Sequence, residues 1–255
     1  MTGISLRFDE RGVAEVTIDH AGKLNILDRA LMAELVAATE RLAAAEGLRA
    51  IVLRGAGDKA FIGGADLREM AALDAASAAP FITALHQVCD GLRRLPVPVV
   101  ARIDGYALGA GLEIAASCDL RIASDRTVFG MPEVRVGIPS VIEAALLPRL
   151  IGWGRARRLL LTGETIGAAE AERWGLVERV VPAAALDDAV AETLAQLLAA
   201  GPRALALQKA LMRDWEEGGV IGAIERGISS FAEAFTTDEP RRMMRAFLDA
   251  RERRK

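Results

Sequence analysis

The chain has 255 residues, 52% of them hydrophobic and 26% charged, a globular composition that predicts one large domain or a domain with an appendage. A formal net charge of −3 offers nucleic acid no basic surface overall. No apolar run reaches the ~18 residues of a membrane span, and the opening "MTGISLRFDERG" turns polar before it could form a leader; the expectation is a soluble, cytoplasmic protein without nucleic-acid or membrane partners.

In chain order, "ISLRFDERGVAEVTID" predicts a hairpin. Ile4, Leu6 and Phe8 alternate, "DERG" supplies the turn, and Ala14, Val16 and Ile18 alternate again. Leu31, Leu35, Ala38 and Leu42 then recur at helical spacing behind Asp28, a capping residue. "AIVLRG" at 50–55 is a short buried strand. "AFIGGADLREM" is a strand, two glycines and a helix beginning at Ala65-Asp66. A helix over 77–95 is stopped by Pro96 and Pro98, and "VVARIDG" is a strand. "YALGAGLEIAASC" opens on glycines and becomes a helix, while "DLRIAS" and "TVFG" are strands. From residue 140 the pattern is mostly helical with one strand near "LVERVV", and from Ala183 it is nearly all helix, amphipathic through to the basic tail "RRMMRAFLDARERRK". Strand-then-helix units over the first two thirds predict an α/β domain with a largely buried sheet.

Three stretches carry chemistry. In "AFIGGADLREM" the adjacent glycines let a ligand approach the backbone, and the following helix offers unpaired N–H groups at its positive end. Such a junction reads either as an ordinary tight turn or as a donor aimed at an oxyanion. "DGYALGAGLEIAASC" repeats the device, with Gly105, Gly109 and Gly111 leading into a helix whose first turn carries Glu113. Two such junctions aimed at one oxygen would form an oxyanion hole; the glycine spacing is not that of a dinucleotide fingerprint. "FGMPEVRVGIPS" sets Glu133 in a loop among apolar neighbours, where burial would raise its pKa into the range of a general acid; a plain surface glutamate is the alternative. Cys89 and Cys118 have no metal spacing and read as small buried hydrophobes. His20 and His86 read as structural, and no sequence pattern supports a metal.

These three motifs, in this order and spacing, resemble the crotonase superfamily, the enoyl-CoA hydratases and isomerases. The early "GKLNILD" and the later "RARRLLLTGETIGAAEAERWGLVERVVP" fit the same family, so the likeness runs from about residue 4 to the end. The resemblance implies a crotonase-like spiral of ββα units over 1–182 with a helical C-terminal trimerisation region over 183–255, assembled as a homotrimer or dimer of trimers. It implies that the N–H groups of Ala65 and Ala110, flanked by Gly63, Gly64, Gly109 and Gly111, hold the thioester oxygen of an acyl-CoA. Ala110 stands where many relatives have glycine, which costs little if its φ is negative.

Glu113 would orient and deprotonate water, and Glu133 would give a proton to C2. Coenzyme A, contacting Lys23, Leu24, Ile62 and Asp66, belongs to the substrate, so neither cofactor nor metal is implied. The implied reaction is syn hydration of a trans-2-enoyl-CoA to a 3-hydroxyacyl-CoA. A 3,2-enoyl-CoA isomerase using Glu133 alone and a non-catalytic binding protein of the same fold are the alternatives. The chain departs from the family at "GIPSVIEAALLPRLIG": Ser140 replaces a glycine, a glycine-rich turn is lost, and Glu143 enters as a third carboxylate. Glu143 reads as a helix-start residue or as a contact for a polar acyl group. Ser140 with a histidine would suggest a hydrolase, but no nucleophile elbow surrounds it.

Overall fold

The computed structural model describes residues 3–253; Arg254 and Lys255 of the basic tail lie outside the described residues. The first hairpin forms as the alternation predicts, with β1 (Gly3–Phe8) antiparallel to β2 (Val13–Asp19) and Leu6 opposite Val16. Helix α1 (Arg29–Ala43) begins where Asp28 accepts the Leu31 N–H at 2.8 Å, and buries Leu31, Leu35, Ala38 and Leu42 along one stripe.

Modules of two strands and a helical segment follow. The first holds β3 (Ala50–Gly55), β4 (Ala60–Ile62), α2 (Leu67–Ala71) and α3 (Ala75–Arg94). The second holds β5 (Val99–Ile103), β6 (Tyr106–Leu108) and α4 (Ala110–Ser117). The third begins with β7 (Leu120–Ser124) and β8 (Val128–Gly130), passes through 3₁₀ turns at Glu133–Val136 and Ile142–Leu146, and continues into α5 (Leu147–Ile151) and α6 (Trp153–Thr162). The strands β9 (Thr165–Gly167) and β10 (Arg179–Val181) flank α7 (Ala168–Trp174). Four helices complete the described residues: α8 (Leu186–Ala199), α9 (Pro202–Glu217), α10 (Val220–Ala234) and α11 (Glu239–Glu252).

Each module sends its first strand to one sheet and its second to another. The larger sheet runs β1-β2-β3-β5-β7-β10, parallel from β2 onward; the smaller runs β4-β6-β8-β9, with only β8 and β9 antiparallel. The result is the spiral of ββα units expected from the motifs. Central strands are buried on both faces, which is why "AIVLRG" and "VVARI" read as continuous apolar runs. Ile51 and Leu53 face the main core with α1 and α3, while Ala50 and Val52 face α8 through Leu186, Ala189, Val190 and Leu194. Each such leucine contributes roughly 1.5–3 kcal/mol by burial.

Three expectations need correcting. Helix α3 starts at Ala75, two residues early, because Asp74 and Ser77 form a reciprocal capping box. Glu133 stands at the start of a single 3₁₀ turn and not in an open loop. Strand β9, three residues long, lies in a stretch expected to be helical; it exists because its backbone completes the antiparallel edge of β8.

Candidate active site

The short strands β4, β6 and β8 lie side by side and parallel, so their C-terminal ends emerge at one edge. The three chemistry-bearing stretches are the segments that leave those ends: Gly63-Gly64-Ala65 after β4, Gly109-Ala110 after β6, and Pro132-Glu133 after β8. All of these residues, with Glu113 from α4, line one cavity of about 380 Å³.

The backbone around the first junction is fixed by the 24–27 loop. Gly63 N–H donates to the Leu24 carbonyl at 2.9 Å, Leu27 N–H to Gly64 at 2.9 Å, and Asp66 N–H to Leu27 at 2.8 Å. Ala65 N–H is thus left without an acceptor among the described residues. Asp66 caps α2, accepting from Arg68 N–H at 2.7 Å. Asn25, fully buried at φ +53, anchors the loop: its Oδ1 accepts the His20 N–H, and its Nδ2 donates to the carbonyls of Ala56 and Ala60. Asparagine tolerates that left-handed backbone better than most residues.

At the second junction Gly109, at φ +51, turns the chain into α4 and donates to the Gly130 carbonyl at 2.9 Å. Ala110 is the first helical residue, so its N–H has no intrahelical partner, and none exists among the described residues. Its φ is not positive, so alanine sits there without strain. Ala65 and Ala110, whose N–H groups have no acceptor among the described residues, therefore both line the same cavity.

The two carboxyls differ in surroundings. Glu113 is 4% exposed, and Oε1 accepts the Ala144 N–H at 3.1 Å. Burial, reinforced by the charges of Glu133 and Glu143, pushes its pKa up to about 8 despite that hydrogen bond. Glu133 is only half-buried; the burial that its apolar sequence neighbours suggest for Glu133 belongs to Glu113. Glu133 Oε2 accepts from the Ser140 hydroxyl at 2.8 Å, and Oε1 lies over Gly109.

Other expected contacts fall elsewhere. Ile62, fully buried at the end of β4, and Gly111, inside α4, do not line the cavity. A Cβ on Gly111 would stand 2.1 Å from the Ile62 carbonyl oxygen, so this glycine serves close packing of α4 on β4. Leu24 lies against Gly63, and Lys23, Leu24 and Asp66 are all outside the cavity lining. Glu143 makes no capping hydrogen bond and does not reach the cavity; Oε1 meets His86 Nδ1 at 2.8 Å.

Sequence motifs alone do not reveal the apolar wall. Ala78, Phe81, Ile82 and Leu85 of α3, with Met70 of α2, line the cavity. Their three- and four-residue spacing is the signal that could have found them. A second, basic recess lies beside Lys209 and Arg121. Lys209 is bound by Asp119 and the carbonyls of Leu92 and Val97, and Arg121 by Glu178 and the carbonyls of Leu176 and Cys118. Among the described residues no His, Cys, Asp and Glu cluster could hold a metal, and no helix is long and apolar enough to cross a membrane.

Comparison with known proteins converges on one family. A family model described as enoyl-CoA hydratase/isomerase matches residues 9–255. The short-chain-enoyl-CoA hydratase of Clostridium acetobutylicum is 35% identical over 243 residues, covering 95% of this chain and 93% of that protein. The crotonyl-CoA hydratase of Syntrophomonas wolfei is 33% identical, with 95% and 94% covered. The crystal structure of an enoyl-CoA hydratase from Mycobacterium smegmatis superposes with a TM-score of 0.93 at 33% identity, over 97% of this chain and 96% of that one. With the spiral of paired strands, the two glycine junctions and the motif glutamates in one cavity, these likenesses establish that the chain belongs to the enoyl-CoA hydratase/isomerase family.

Proposed function

We propose that the protein is an enoyl-CoA hydratase that adds water across the C2–C3 double bond of a trans-2-enoyl-CoA. The observation that carries this reading is that two residues with acceptor-free backbone N–H groups and two glutamates line one largely apolar cavity. Ala65 and Ala110 N–H hold the thioester oxygen as charge develops on it. Glu113 removes a proton from water as the oxygen adds to C3, and Glu133 delivers a proton to C2, so the enolate collapses to the 3-hydroxyacyl thioester. Dehydration runs the same steps backwards with the two roles exchanged.

The wall from α2 and α3 supports an apolar acyl group over a polar one. Coenzyme A arrives as part of the substrate and leaves along Lys23 and Leu24, with no further cofactor required. Residues 1–182 supply the site, and 183–255 supply the surface for assembly as a homotrimer or a pair of trimers. Supporting that, Val220, Ile221, Ile224, Ile228 and Phe231 of α10 are each more than 60% exposed. We place the protein in the cytoplasm, where its two free, buried cysteines stay reduced.

The test is loss of the conjugated-thioester absorbance of crotonyl-CoA and longer enoyl-CoAs. Glu113→Gln and Glu133→Gln should each slow turnover by about 10²–10⁴-fold. Full turnover in Glu113→Gln would overturn the hydratase reading, and a 3-enoyl-CoA substrate isomerised without need of Glu113 would favour the isomerase. Thioester binding with no turnover by the unaltered protein would favour a binding role.

A further inference from the structure

Behind Glu113 lies a device that the proposed reaction does not itself use. The 3₁₀ turn Ile142–Leu146 packs against α3 and α4. Ile142 adopts φ +39, a conformation that is a genuine outlier for a β-branched residue and persists only where the surroundings over-determine it. Two residues on, Ala144 N–H donates to Glu113 Oε1. Between them, Glu143 is 5% exposed, with Oε1 on His86 Nδ1 at 2.8 Å and Oε2 buried without a partner among the described residues. A buried carboxylate tied by one oxygen is a costly element to keep, and removing its partner leaves an uncompensated charge.

We propose that Glu143, tethered to His86, is a positioning residue for Glu113: it clamps the strained turn to α3 so that Ala144 N–H stays on the Glu113 carboxylate. The clamp joins α3, which lines the cavity, to the turn that holds Glu113, across 57 residues of sequence. It also sets a third negative charge near Glu113. The ionisable groups around Glu143 are His86 and Cys89 on α3 and Glu113 on α4, with Glu133 beyond Glu113.

The geometry of the clamp stands on the structure, while the catalytic consequence rests on the hydratase reading, so the experiment separates the two. In the unaltered protein, hydration of crotonyl-CoA is measured first, and the Glu113 carboxyl is titrated by carbon-13 NMR without ligand. Glu143→Ala and His86→Ala should each lower kcat tenfold or more with KM within about threefold. The double variant should be no worse than the poorer single one, as expected of residues acting as a unit.

Glu143→Gln keeps an acceptor for His86 and loses the charge. It should retain kcat within about threefold and move the Glu113 titration to lower pH, a shift that a packing role would not produce. His86 is half-exposed, so His86→Ala keeps the test available if Glu143→Ala does not fold. Wild-type kcat in the alanine variants, simply additive losses, or a Glu113 titration unmoved in Glu143→Gln would each overturn the proposal. Should the unaltered protein fail to hydrate, the NMR titration still decides it: His86→Ala keeps the Glu143 charge but frees the turn, so loss of the Ala144 N–H should move Glu113 to higher pH, and an unmoved Glu113 refutes the clamp.

Discussion

Gly109 and Glu133 are in direct apposition: a Cβ built on Gly109 would stand 2.4 Å from Glu133 Oε1. Glycine is favoured there by its φ of +51, and an added Cβ would push aside the Glu133 carboxylate lying across it. Gly109→Ala should therefore displace Glu133 and re-aim the neighbouring Ala110 N–H together. Turnover is expected to slow by about 10³-fold, the combined effect of a misplaced acid and a weakened donor, with CoA-thioester affinity changed much less. Steady-state kinetics beside calorimetric binding checks this; an equal loss in both would point to general collapse of the site.

The donor role of Ala110 can be tested with little disturbance. Proline is tolerated at the first position of a helix, since the N–H it lacks has no intrahelical partner. Ala110→Pro should fold, with a near-native circular dichroism spectrum, yet turn over about 10²–10³-fold more slowly, the usual effect of removing one oxyanion donor. Rates within threefold of the unaltered enzyme would remove Ala110 from the mechanism.

In the proposed mechanism hydration starts with the proton on Glu133 and dehydration with it on Glu113, so both directions would use the pair carrying a single proton. Because the reaction itself neither releases nor takes up a proton, kcat/KM in both directions must share one pH profile. Glu113 holds its proton up to about pH 8 in the free protein. The expected profile therefore falls as pH rises through about 8, when the pair loses its last proton. Hydration and dehydration assayed from pH 6 to 10 would expose an error if no alkaline limb appeared.

Glu113 also ties pH to stability. Its folded pKa, about 8, lies above its ordinary value of 4.5. The folded protein thus binds this proton more tightly than the unfolded chain. Stability from this group is fully present below about pH 4.5 and is lost progressively as pH rises through 8. Glu113→Gln removes the ionisation, so the variant should melt at nearly the same temperature as the parent at pH 4.5 and at a higher one at pH 9. A gap in Tm that fails to widen between those two values would contradict the buried, uphill carboxylate.

Much of this was legible from local sequence. The caps Asp28, Asp66 and the paired glycines act within a few residues of themselves, and strand alternation marks which side of β2 is buried. The site residues came from motif order, and the parallel neighbours β4, β6 and β8 then bring those motifs together. What could not be read was long-range. His86 and Glu143 meet across two elements with nothing in either segment to announce it. Asn25 looks like an ordinary loop residue until three backbone partners surround it. Strand β9 has no pattern of its own, since three residues fit any period. The burial of Glu113 over Glu133 depends on how the 142–146 turn closes over α4, which neither segment encodes alone.

The covering of the larger sheet by α8 has a consequence for biosynthesis. The last strand of that sheet ends at Val181, but Leu186, Ala189, Val190 and Leu194 leave the ribosome afterwards. A nascent chain paused in between would carry a fully specified sheet with a greasy floor open to water, a species prone to self-association. Translation through α8 without delay, or shelter by a chaperone until it docks, would protect the newborn polypeptide at its most vulnerable moment.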